Sequence, residues 1–159
     1  MRTDTVRGCP TRRLANAAAA HAPVWRYLYT HVYENDPFNA QLRAGHVLED
    51  PLLWHSDVFQ SGHVLTAGEN TLSQRMTGYW TNFAKTGSPN GAGLPNWPAY
   101  GGSTEPTLQL DDQSNVITNY HDQQCALLDT ISAPFPPPWH GKGPTIIPPG
   151  FLNGHAKAP

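Results

Sequence analysis

The stretch Gly45-His46-Val47-Leu48-Glu49-Asp50-Pro51-Leu52-Leu53-Trp54 sets a histidine directly behind a glycine and a carboxylate three positions later. Three chemistries use such a histidine: general-base catalysis, metal ligation, or no chemistry in a polar loop. A histidine base needs a Ser or Cys nucleophile within reach and a carboxylate to orient it. The nucleophile elbow G-x-S-x-G does not occur in the 159 residues. Gly101-Gly102-Ser103-Thr104-Glu105 lacks the closing glycine and sits in a turn before a strand. A metal reading starts from His46, Glu49, His55, Asp57 and His63, which fall within 18 residues. Their spacings match neither HExxH nor any other standard site, and a polar histidine-rich loop explains them without an ion. Glycine-rich phosphate loops are absent as well.

The elements that must position His46 are legible on both sides of it. Residues 10–21 read as a helix, with Pro10 in its first turn and a run of alanines. The run and Ala20-His21-Ala22 have some likeness to a secretory signal, but Asn16 and the weak apolarity of the run favour a surface helix laid on a sheet through Leu14 and the alanines. Residues 23–33 are rich in aromatic and β-branched side chains on both alternating faces, which predicts a strand covered on both sides. Residues 34–45 read as a polar loop. Thr66-x-x-Glu69 has the form of a capping box. It opens a helix whose face is Leu72, Met76, Tyr79 and Phe83, widened by Trp80 and ended by Gly87. Trp97 and Tyr100 punctuate a turn-rich loop. Residues 107–112 and 115–120 alternate as short strands, and 121–131 reads as a helix with Cys125, Leu128 and Ile131 inward.

Helices flanking a two-faced strand argue an α/β fold with an incomplete sheet. One such strand does not close a core of its own. Cys9 and Cys125 lie 116 positions apart, so they form no CxxC metal motif and stand as two thiols of open role.

Composition narrows the partners. Net charge is -2, with no basic patch for nucleic acid. No apolar run approaches the roughly 18 residues of a membrane span. Of the 16 prolines, eight fall in residues 133–159, which predicts an extended or disordered tail beyond a domain over 1–132.

Three blocks together resemble the type B carboxylesterases, the cholinesterase-like group of the α/β-hydrolase superfamily. GHVLEDPLLW is similar to that family's catalytic-histidine segment, matching at Gly45, His46, Glu49, Pro51, Leu53 and Trp54. LSQRMTGYWTNFAKTGSPNGAGLPNWPAY is similar to its C-terminal signature, and CPTRRLANA with PVWRYLYTH to the helix and strand before the histidine loop. The resemblance implies the C-terminal part of an α/β-hydrolase fold. His46 would be the general base of a Ser-His-Glu/Asp triad and Glu49 a carboxylate supporting it from behind. It also implies a Cys9–Cys125 disulfide and a parent protein that is secreted or periplasmic. The substrate would be a small carboxylic ester, with no metal and no cofactor. The serine elbow, oxyanion hole and triad acid of the family lie upstream of the region it shares with this chain. The expected reading is therefore a fragment that carries the histidine alone, is inactive by itself, and has the upstream part of the hydrolase as its natural partner. A non-catalytic structural or interaction module is the alternative.

Overall fold

The computed structural model describes residues 4–56 and 63–131. The tail 133–159 and Asp57 therefore lie outside the described residues. A π-helical turn, Asp4–Gly8, leads into α1 (Cys9–Ala19), with Pro10 in its first turn. Strand β1 (Tyr27–Tyr29) follows, then α2 (Pro37–Leu42), α3 (Asp50–Trp54), α4 (Ala67–Thr86), β2 (Thr107–Leu110), β3 (Asn115–Ile117) and α5 (Asp122–Ile131).

The sheet has the order β1-β2-β3, with β1 parallel to β2 and β2 antiparallel to β3. Among the described residues, β1 has a strand partner on one edge only. It is also far shorter than the predicted 23–33. Its partner β2 is four residues long, so the ladder stops at Tyr29↔Leu110. Single bonds extend the pairing: Tyr100 N–H to the Val24 carbonyl, Leu108 N–H to Arg26 and Thr30 N–H to Leu110. The polar loop predicted after this strand contains α2, where Ala40 N–H reaches back to the Asp36 carbonyl across Pro37.

Helix α4 is the most regular element, and its sequence signals act as expected. The Thr66 hydroxyl accepts from the Glu69 amide, and the Glu69 carboxylate accepts from the Thr66 amide. Gly87, at φ 74°, ends the helix. Leu72, Met76 and Tyr79 are fully buried and join Tyr29, Tyr33, Leu48, Leu52, Trp97, Leu108 and Leu110 in the core. Phe83, expected inward, is half exposed. The sheet has only short strands, and Phe83 meets Trp25 edge to face with ring centroids 5.7 Å apart.

Two further expectations fail for the same reason. Ile131 and Leu14 are both about 70% exposed. Neither α1 nor α5 rests a full apolar stripe on a three-stranded sheet. They are tied to each other instead: Cys9 and Cys125 form a disulfide with Cα atoms 5.3 Å apart, and Arg13 pairs with Asp129. Arg12 grips Glu105 through two hydrogen bonds of 2.6 and 2.5 Å, which joins α1 to the segment before β2.

That last pair has a testable consequence. Hydrogen bonding to Arg12 holds the Glu105 carboxyl below its ordinary range. A depressed carboxylate stabilises the fold above its unfolded pKa, near 4.3, and the contribution disappears as pH falls through the lower folded value. Glu105→Gln is expected to cost about 1.5–3 kcal/mol at neutral pH. Below pH ~4 the gap from wild type should close. Urea denaturation of both proteins between pH 3 and 7 measures it, and a gap that stays constant across that range contradicts the assignment.

Candidate functional site

His46 opens a turn over 46–49 that feeds α3. The turn is tight by necessity. At Gly45 a Cβ would come within 3.2 Å of the Leu42 carbonyl and 3.3 Å of the Leu48 side chain. Next to the histidine, Val47 holds φ at 66°. A β-branched residue in the left-handed region is strained, and such strain persists only where the surroundings impose it.

The surroundings that impose it are two tyrosines. The hydroxyls of Tyr33 and Tyr29 both donate to the Leu48 carbonyl, at 2.7 and 3.3 Å. Tyr29 ends β1 and Tyr33 lies four residues on, so the end of β1 and the segment after it clamp the histidine turn. Burial drives both hydroxyls well above the ordinary phenol range, so they stay donors at any working pH. From the other side, Pro51 and Leu52 are buried, and Leu52 offers its carbonyl to the Ser73 hydroxyl of α4. Trp54, at the end of the same segment, is 72% exposed. Five-residue α3 turns only Leu52 fully, and Leu53 partly, toward the core, which leaves Trp54 on the outer side.

The side chain of His46 is exposed, and Glu49, half buried, sits on the same turn. Both line an open, mostly apolar cleft of about 580 Å³ between α1 and β1, walled by Leu14, Ala15, Ala18, Val24 and Leu28. Tyr33→Phe tests the clamp. It is expected to cost about 1–2 kcal/mol, because the Leu48 carbonyl keeps only the longer bond from Tyr29. Chemical denaturation gives the number, and hydrogen exchange at 46–49 should rise more than in α4.

The other histidines named from the sequence go elsewhere. His55 Nδ1 lies 3.1 Å from the Ser73 hydroxyl. This is a serine–histidine contact, but the hydroxyl proton is given to the Leu52 carbonyl and Ser73 is buried on a helix, so it fastens α3 to α4 and attacks nothing. His63 Nε2 meets Glu69 at 2.8 Å. Among the described residues, the side chains that do converge as metal ligands are His31, Asp111 and Asp112, none of which sequence spacing picked out. Residues 31 and 111 meet only because β1 and β2 run parallel, a pairing without local sequence signal.

Comparison with known proteins gives the family and the fold. The carboxylesterase family matches residues 1–128. Acylcarnitine hydrolase of Mus musculus is 38% identical over 109 residues, which covers 67% of this chain and 19% of that protein. Cocaine esterase of Homo sapiens is 34% identical over 120 residues, covering 73% of this chain and 21% of that protein. Among solved structures, a PNB esterase superposes with a TM-score of 0.65 at 31% identity, over 79% of this chain and 26% of its own. An esterase from Clostridium hathewayi gives 0.62 at 26% identity, over 78% and 24%. The chain thus spans about a fifth of the length of the curated relatives it matches. Its small mixed sheet with flanking helices is part of an α/β-hydrolase fold. The chain belongs to the carboxylesterase family.

Proposed function

We propose that this chain supplies the general-base histidine, His46, to a carboxylic-ester hydrolase whose serine nucleophile, oxyanion hole and triad acid come from upstream segments. The observation that carries the reading is the His46 turn itself. An exposed imidazole stands on a strained, doubly clamped turn and faces an open apolar cleft. In the assembled site, one imidazole nitrogen takes the serine proton as the hydroxyl attacks the ester carbonyl. It then returns that proton to the departing alkoxide. Glu49, on the same turn, is a positioning carboxylate for the loop. The substrate class is a small carboxylic ester.

The apolar cleft and the open edge of β1 are where the upstream part of the fold would pack. The Cys9–Cys125 bridge supports an exported parent protein, secreted or periplasmic, since disulfides persist in oxidising compartments.

Alone, the chain should hydrolyse short p-nitrophenyl esters no faster than its His46→Ala variant. It has no G-x-S-x-G elbow, and nucleophile and oxyanion hole supply most of the rate. A His46-dependent turnover by the isolated chain would mean an unrecognised nucleophile and would overturn the shared-site reading.

A further inference from the structure

We propose that His31, Asp111 and Asp112 bind one divalent transition-metal ion of the zinc class, as a structural clamp between the segments that follow β1 and β2. This departs from the expectation of no metal, and it is independent of the ester chemistry at His46.

His31 lies just past β1 and its ring is 2% exposed. Its Nδ1 faces Oδ1 of Asp112 at 3.3 Å and Oδ1 of Asp111 at 3.5 Å. These distances match the spacing of two ligand atoms that share one tetrahedral ion, about 3.3–3.4 Å for bonds of 2.0–2.1 Å. All three ligand atoms lie within 4.8 Å of one another. Asp112 Oδ1 is shut off from solvent and accepts no hydrogen bond, which is costly for a carboxylate oxygen unless a cation meets it.

The surroundings orient each ligand. Glu69 Oε1 stands 3.3 Å from His31 Nε2. A carboxylate on the far nitrogen fixes the tautomer that turns the Nδ1 lone pair toward an ion, the usual support for a ligating histidine. Glu69 is itself held by the amides of Thr66 and Glu34 and by His63. Asp111 is aimed by Thr30, whose hydroxyl donates to Oδ2 at 2.7 Å, and by the Asp112 amide, which donates to Oδ1 at 2.9 Å. The Asp112 carboxylate lies against the first turn of α4, where a Cβ on residue 68 would meet its Cγ and Oδ2 at 3.2 Å, so Gly68 makes its room.

Charge points the same way. Three carboxylates surround one imidazole. Among the described residues, neither aspartate pairs with Lys or Arg, and Arg75 donates to the main-chain carbonyl of Asp112 rather than to its carboxylate. Both aspartates are about one-third exposed, which leaves the ion a path from solvent. One imidazole and two carboxylates suit zinc better than calcium or magnesium, which take oxygen ligands.

The test is a ZnCl₂ titration of the full chain by calorimetry, with imidazole ¹⁵N NMR to locate the ion. The expected result is one ion bound, a shift of the His31 Nδ1 resonance that saturates with it, and a higher unfolding temperature. Asp111→Asn/Asp112→Asn should weaken binding by at least about tenfold, while His21→Ala, at an exposed site, leaves it unchanged. If the double variant does not fold, the NMR titration of wild type decides alone. A His31 resonance unmoved at saturating zinc, or zinc affinity untouched in the folded double variant, overturns the proposal and leaves His31 as an ion-pairing histidine.

Discussion

Replacing Cys9 and Cys125 together by serine is expected to remove about 4–5 kcal/mol of stability, since the bridge closes a loop spanning 116 positions. The loss should be felt first at the two ends. Helix α5 buries only Cys125, and Leu127 and Ile131 face outward. With the bridge gone, α5 keeps the Arg13–Asp129 pair, which is exposed, and such pairs contribute about 0–1 kcal/mol. Helix α1 keeps its part-buried Arg12–Glu105 pair and should outlast α5. Urea denaturation with and without reductant measures the effect. Hydrogen exchange should show α5 opening while Leu72, Met76 and Tyr79 in α4 stay protected. A shift under ~1 kcal/mol would show that packing alone holds the termini.

How much of the fold is readable from the sequence depends on whether the cause is local. Helix α4 is legible because its cap, its apolar spacing and its terminating glycine lie within about twenty consecutive residues. The extent of β1 is not, because a strand ends where its partner ends, and β2 is four residues long. Leu14, Phe83 and Ile131 face outward against expectation because apolar spacing names a face and says nothing of whether a surface exists to cover it. Both the disulfide and the candidate base follow from family resemblance, since two cysteines 116 positions apart and a lone Gly-His pair carry little meaning by themselves. The clamp on Leu48 has a faint signal. Tyr29 and Tyr33 fall on one alternating face of the predicted 23–33 strand, but no pattern names a carbonyl as their target. The His31 cluster has none, because it exists only through the parallel pairing of β1 with β2.

The second large effect belongs to His46. In an assembled hydrolase the base acts as one unit with the serine, so its loss removes nearly the whole contribution of the triad. His46→Ala is expected to lower kcat by about 10⁴–10⁶-fold. Its KM should change little, because the imidazole contacts the moving proton more than the bound ester. The fold should tolerate the change, as the side chain is exposed and the clamp acts on the Leu48 carbonyl.

The most direct measurement is complementation. The full chain would be co-expressed with the upstream three-quarters of a PNB esterase, the relative whose own chain it covers by 26%. Hydrolysis of p-nitrophenyl acetate would then be followed in the purified complex. A shared site predicts turnover with the wild-type chain and a loss of about 10⁴-fold or more with His46→Ala. A complex that forms but shows no turnover, or one whose turnover survives His46→Ala, would contradict the claim that this chain carries the base.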